Sequence, residues 1–349
     1  MHNTKLYIYG VVNQGKVSFT SNGDVSIHEK IFSINYKNIS AIVSNSKVHD
    51  YFHSNKKKLA EQLLKHQTVI EELMNNGYTV IPMKLGTQAD EENEVIEILK
   101  KGYEIITDVF EKINDKIEID LAATWSDMNS VLREIGEEND IIELKNKLLS
   151  NSEKVTFEDK IKVGQMVQKG LERKREEYSA EIKHYLSEYC ENLKIHELMD
   201  DKMVINTALL LKKTNYQIFE KKLENLNAKY SDKLNFRCIG PLPTYSFFTL
   251  EVDKILPEDL KWARDKLGIS DKILNQAEIR KAYQKTASLY HPDKNPGITE
   301  IKNEFNDITK AYKLLTDYCE FHNESALEED YSINSGVLES PSTLVKVRL

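Results

Sequence analysis

A chain of 349 residues, 40% hydrophobic and 30% charged, is long enough for two or three domains with their own cores, and its balance is that of a soluble globular protein. The net charge of -8, with lysines interleaved among acids, gives no support to nucleic acid or an anionic membrane as main partner. Cys190, Cys238 and Cys319 are odd in number, widely spaced and without a C-x-x-C pair, which argues against a zinc ribbon or disulfide framework and for reduced thiols in a cytosolic protein.

The N-terminus lacks the long apolar run of a signal peptide, and no segment is apolar for long enough to span a membrane, so a cytoplasmic protein without a membrane partner is expected. Leu6-Tyr-Ile-Tyr-Gly-Val-Val12 is rich in β-branched and aromatic residues and reads as a strand, followed by two more at 25–34 and 39–43. From Ser54 a lysine-rich pattern with Leu59, Leu63, His66, Ile70 and Leu73 at helical spacing runs until Asn75-Asn-Gly77 stops it. Residues 78–83 return to strand character. A second amphipathic helix follows over 90–113, opened by Asp90-Glu91-Glu92, a carboxylate run that suits the positive end of a helix dipole and reads as a cap.

Residues 117–125 predict a long strand, and a helical region follows, with one long helix over about 157–193. Its apolar seam, Ile161, Val167, Leu171, Tyr178, Ile182, Leu186 and Tyr189, has the steps of a buried stripe, so its aromatics read as core. A strand at 203–211, a helix at 216–230 and a strand at 236–252, interrupted by Gly240-Pro-Leu-Pro243, complete a second set. Two sets of strands alternating with helices suggest an α+β fold of two successive domains, 1–116 and 117–253, with a ferredoxin-like arrangement in the second. Lys254-Ile-Leu-Pro-Glu-Asp259 reads as a hinge. Three short helical patterns follow at 260–267, 276–290 and 299–316, and residues 320–349, acidic and without period, read as a mostly disordered tail.

Within those helices, Ile279, Ala282, Tyr283, Thr286, Ala287 and Tyr290 share one side of the second, and Phe305, Ile308, Ala311, Tyr312 and Leu315 share one side of the third. Two antiparallel helices with these seams pack together and leave Arg280, Lys281 and Lys285 facing water. Pro292 ends the second helix, because the residue before proline is pushed out of helical geometry, and holds His291-Pro292-Asp293 at a loop tip beside a basic face. A histidine beside an aspartate suggests acid–base chemistry. No nucleophile, metal-ligand set or phosphate loop completes an active site, so no catalytic residue, cofactor or metal is expected.

With Leu267-Gly-Ile269, Ile279-Arg-Lys-Ala-Tyr283, Tyr290-His-Pro-Asp-Lys-Asn295 and the Phe305-x-x-Ile-x-x-Ala-Tyr-x-x-Leu315 helix in order, residues 261–317 resemble the J domain of DnaJ-type co-chaperones. The J domain, with its helical hairpin, is bounded at 258–319. The resemblance implies docking on a DnaK-type chaperone and stimulation of its ATP hydrolysis by His291, Pro292 and Asp293, with Arg280, Lys281 and Lys285 supplying electrostatic docking. Gln284 stands where that family often has a basic residue, and Thr286 where it often has leucine. The Gly/Phe-rich and zinc-binding regions of full DnaJ proteins are absent, so client recognition must come from elsewhere.

Residues 5–252 carry a second resemblance. Leu6-Tyr-Ile-Tyr-Gly10, His66, Val80-Ile-Pro-Met-Lys-Leu-Gly-Thr87, Lys162-Val-Gly-Gln-Met-Val-Gln-Lys-Gly-Leu-Glu-Arg-Lys174 and Gly240-Pro-Leu-Pro-Thr-Tyr-Ser-Phe247 follow the order of the gas vesicle protein L/F (GvpL/GvpF) family. That family usually has tryptophan at position 242, proline at 244 and phenylalanine at 85, where this chain has Leu242, Thr244 and Leu85. The resemblance implies an accessory protein of gas vesicle assembly, associated with vesicles, whose partners are the shell protein and other accessory proteins, and it supplies no catalytic residues.

Gly86 and Gly240 read as backbone necessities at turns rather than ligand sites, and Pro241 and Pro243 as shaping a bend. His49 and His53, four apart, read as surface or capping residues rather than a metal pair, since no acidic partner stands in a recognised pattern. The expectation is therefore a non-enzymatic assembly factor that recruits a DnaK-type chaperone. The alternative is a minor structural gas vesicle component whose J-like segment is only a docking module.

Overall fold

A computed structural model describes residues 4–15, 17, 30–47, 56–150, 156–269, 273–291, 299–323, 333–334 and 342–348. His49 and His53, Pro292 and Asp293 lie outside the described residues, as does the 25–29 part of the second expected strand. The chain divides into two compact units: Met1–Gln88, Ile106–Leu250 and Val347–Leu349 in one, Ala89–Ile105 and Glu251–Lys346 in the other.

The first unit opens with β1 (Thr4–Val12), β2 (Ile31–Tyr36), β3 (Ile39–Lys47), α1 (Lys56–Asn75) and β4 (Val80–Pro82). The strands run antiparallel in the order β2-β3-β1-β4. Alternation along β1, shifted by one residue at the irregularity between Ile8 and Gly10, and the helical spacing of α1 bring Tyr7, Tyr9 and Val12 together with Val69, Ile70 and Leu73 in one core.

Where the sequence predicts one helix over 90–113, the short strand β5 (Gln88–Ala89) precedes two, α2 (Glu92–Lys101) and α3 (Tyr103–Ile113), divided at Gly102. A residue without a side chain weakens a helix interior enough for the axis to break. The expected acidic cap takes another form: Glu91 at the N-cap position makes no side-chain capping bond, while Glu94 accepts the Asp90 backbone N–H at 2.6 Å.

The second sheet begins with β6 (Lys116–Trp125), followed by α4 (Met128–Gly136), α5 (Asn139–Ser150) and α6 (Phe157–Ser187). Then come β7 (Asn192–Ile195), β8 (Met203–Lys212), the 3-10 turn Lys213–Asn215, α7 (Tyr216–Lys229) and β9 (Leu234–Leu242). The order β7-β8-β6-β9, antiparallel throughout, is the ferredoxin-like order expected, completed by an edge strand that the sequence pattern merges into the long helix.

Odd-numbered residues of β6 and β8, such as Ile119, Leu121, Ile205 and Leu209, bury one sheet face against Leu171, Ile182 and Leu186 of α6 and Phe219 and Leu226 of α7. The expected α6 stripe holds from Val167 onward, but Ile161 is 44% exposed. At 31 residues α6 is roughly 46 Å long, against roughly 33 Å for the ten residues of β6, so the first turns of the helix overhang the sheet.

The second unit holds α2 together with β10 (Thr249–Ile255, from Glu251), α8 (Pro257–Leu267), β11 (Ile273–Leu274), α9 (Gln276–Leu289), α10 (Thr299–Asn323), β12 (Ile333–Asn334) and β13 (Ser342–Arg348, to Lys346). Instead of a hinge at 254–259, β10 runs to Ile255 and Pro257 starts α8. Proline suits the first helical position, where its missing N–H is no loss. The expected tail is also partly built: α10 continues to Asn323, and β13 pairs with β10. Leu344 of β13 is fully buried among Ile255, Leu260, Ile279, Ile308 and Leu315, so the alternating Leu-Val-Lys-Val pattern outweighs the acidic composition before it.

Candidate functional site

Two constellations carry the sequence motifs, one in each unit. In the second unit the Asn275 side chain caps α9 by accepting the Glu278 N–H at 2.8 Å. Ile279 and Ala287 face α10 and are buried, Tyr283 stacks on Tyr312 at 4.3 Å between ring centroids, and Lys266 of α8 bridges to Glu304 and Asp307 of α10. This packing leaves Arg280, Lys281 and Lys285 exposed on one helix, as expected.

His291 follows the Tyr290 C-cap of α9, half-buried, with its ring edge-to-face on Phe305 at 5.5 Å. Gln284 is exposed, so its lack of charge weakens the basic face, whereas Thr286 is half-buried and trims the small core. Leu289, 67% exposed, adds an apolar element that motif reading does not single out, and Tyr290, expected on the packed side of the helix, is 37% exposed beside it. Basic groups thus run along the exposed face of α9, and apolar and imidazole groups stand at its C-terminal end.

In the first unit the motifs converge on the loop after β4. Tyr7 of β1 donates its hydroxyl to His66 Nδ1 of α1 at 2.8 Å and accepts the Gly86 N–H at 3.3 Å. His66 in turn donates to the Met83 carbonyl, and burial holds its pKa down at about 4, so the ring is neutral. Gly10 lies where a Cβ would stand 2.8 Å from the Ile81 carbonyl oxygen, which requires glycine in the Tyr-Gly pair.

The end of β9 and the segment after it span the two sheets of this unit. Gly240, at φ 149°, presses on β6 where a Cβ would meet Ile119 Cδ1 at 2.5 Å. Tyr245 enters the core of the first sheet, and Phe247 packs on Ala208 and Leu210 of the second. Between them the Ser246 backbone N–H and hydroxyl donate to the Glu118 carboxylate at 2.8 and 2.7 Å. His196 Nε2 lies 3.2 Å from the same hydroxyl, and Lys194 donates to the Ser246 carbonyl at 2.9 Å. Burial pushes Glu118 up to about 7 against those hydrogen bonds, and burial raises neighbouring Asp120 as well. Motif reading misses Glu118; the signal available is two acids at 118 and 120 in an otherwise apolar strand. A serine engaged by both carboxylate and imidazole here serves as a clasp between sheets.

Two α+β sheets bridged by such a clasp in one unit, and in the other a helical hairpin with a basic face and a terminal histidine, define an α+β protein with a J-type module. The model of the family described as gas vesicle synthesis protein GvpL/GvpF matches residues 5–249, and that of the DnaJ domain matches residues 265–320. The chain belongs to the GvpL/GvpF family and carries a DnaJ domain. It is 22% identical over 249 residues to gas vesicle protein F of Haloferax mediterranei, covering 71% of this chain and 94% of that one. It is 49% identical over 53 residues to chaperone protein DnaJ of Chlamydia felis, covering 15% of this chain and 13% of that protein.

The crystal structure of GvpF from Anabaena sp. PCC7120 superposes with a TM-score of 0.59 at 20% identity, covering 70% of this chain and 97% of that one. GvpF from Microcystis aeruginosa gives 0.56 at 18% identity, covering 69% and 98%. These two structures share the body's fold. Among the described residues no helix is long and apolar enough to cross a membrane.

Proposed function

We propose that the chain is a non-enzymatic assembly factor for gas vesicles. Its body binds the shell protein or other accessory gas vesicle proteins, while its J helices recruit a DnaK-type chaperone and stimulate ATP hydrolysis. The observation that carries this reading is the union of a gas vesicle synthesis module and a DnaJ domain in one chain. A subunit that encloses gas must present a strongly apolar surface, which aggregates before assembly. Linking its binder to a chaperone-recruiting module raises the chaperone's effective concentration at the client.

On this reading His291, Pro292 and Asp293 act on the chaperone, and exposed Arg280, Lys281 and Lys285 steer docking to an acidic surface. The work is done in the cytoplasm, at the vesicle. The test is the ATPase rate of the matching DnaK-type chaperone with purified full-length chain. The wild type should raise it, and His291→Gln should abolish the rise while leaving the melting temperature unchanged. An unchanged rate with the wild type would remove the co-chaperone role.

A further inference from the structure

β9 is the last strand of its sheet, and no described strand pairs with its outer edge. The Ser126 N–H bonds the Lys233 carbonyl, whereas the Trp125 N–H turns the other way, to Lys202. Backbone direction alternates along an antiparallel pair, so Asn235, Arg237 and Ile239, opposite Thr124, Ala122 and Asp120, direct their groups at β6. The N–H and C=O of Phe236 and Cys238 therefore point outward, the template for another strand. Pro241, with no N–H to offer, closes this edge and leaves 235–239, roughly 17 Å of strand.

Where that edge ends, a pocket of 620 Å³ opens within the first unit. Its walls include Met74 and Tyr78, buried Ile117, Tyr216 of α7, and Ile239 and Pro241 of β9 itself. The two charged residues among its walls already have partners. Glu71 accepts from Gln67 at 2.7 Å, and Lys213 donates to the Asn114 carbonyl at 3.1 Å. A pocket of this size, walled mainly by apolar groups and with its charges matched, suits a large apolar side chain.

The two features together determine the occupant. Outward backbone groups in strand geometry are satisfied by another extended segment, and exposed Arg237 between them forms no ion pair with any described residue. A second copy of β9 has no large side chain to spare for the pocket. Its Leu234 and Leu242 are buried, Phe236 packs on Tyr230, and Ile239 already walls the pocket. We propose that β9 receives an extended segment of a partner protein as a fifth strand, with a carboxylate across from Arg237 and a large apolar side chain in the pocket at Ile239–Pro241. This surface belongs to the body and does not depend on the co-chaperone reading.

The test uses the full chain and a capped, fluorescein-labelled peptide, Thr-Phe-Thr-Glu-Thr-Phe-Thr, whose pattern is the same in either direction. Binding is read by fluorescence anisotropy, and the wild type should bind it. Methylating the backbone nitrogens of the two threonines beside the glutamate, which would face Phe236 and Cys238, should weaken binding by about tenfold or more. Replacing both phenylalanines by alanine should weaken it by about as much. Cys238→Pro removes an outward N–H but no bond to β6, so it should keep the melting temperature and lose the peptide. Arg237→Glu, at an exposed site, should reverse the preference toward a peptide with lysine at the centre. Failure of the peptide to bind the wild type would overturn the proposal. So would equal affinity for the methylated peptide, or an unchanged preference in Arg237→Glu. Sedimentation showing a dimer that Cys238→Pro breaks would overturn it in favour of a second copy of this chain.

Discussion

Glu118 and His66 are buried titratable groups whose linkages have opposite sign. Burial raises Glu118 to about 7, so between about pH 4.5 and 7 the folded state holds a proton that the unfolded chain releases, and stability falls as pH rises. Burial lowers His66 to about 4, so below about pH 6.5 the unfolded chain binds a proton that the folded state refuses, and stability is lost as pH falls. Glu118→Gln, which keeps an acceptor for Ser246, should therefore gain relative to the wild type as pH rises from 4.5 to 8. The expected gain is on the order of 3 kcal/mol, read from urea denaturation midpoints. His66→Gln should gain instead as pH falls from 6.5 to 4. A difference from wild type that stays flat across pH would contradict the burial of the group replaced. Gly10→Ala should destabilise by a few kcal/mol, since the new methyl meets the Ile81 backbone and the stiff, β-branched Val80 side chain. The motif residues are legible in the sequence through resemblance. Their joint role as a relay from Gly86 through Tyr7 and His66 to Met83 is not, because it joins positions far apart in the chain.

Helical periodicity locates the apolar stripe of α6 but cannot say where its supporting surface ends, which is why Ile161 reads as core in the sequence. β7, only four residues long, follows α6 so closely that the sequence pattern runs the two together. The ferredoxin-like order is visible from three strands, and the fourth emerges only from its pairing with β8. β13 is hidden for another reason: seven residues of strand pattern gain meaning only once β10 and the J helices offer a surface. There Leu344 enters the helical core, and Lys346 bridges Asp253 of β10 and Asp317 of α10. Leu344→Ala should cost about 2–5 kcal/mol through the cavity it leaves. A chain ending at Pro341 should lose amide exchange protection in α10, measured by hydrogen exchange. Full protection in the truncated chain would show that the J helices do not depend on this strand.

For the whole molecule, length and composition indicate a multi-domain chain, and the order of motifs indicates both modules. No property of the sequence shows which surfaces remain free once the modules fold. Deleting residues 258–349 should leave the body able to bind gas vesicle proteins but impair vesicle formation when chaperone is scarce, scored by buoyancy. Vesicle yield unaffected by the deletion under limiting chaperone would favour a minor structural component with a docking segment. The central claim is that this chain places a DnaK-type chaperone on a gas vesicle protein. Its most direct measurement is co-sedimentation of purified shell protein and chaperone with ATP, in the presence of full-length wild type or of His291→Gln. The account predicts chaperone in the shell-protein fraction with the wild type and its loss with the variant. Equal recovery with both chains, or recovery without either, would contradict it.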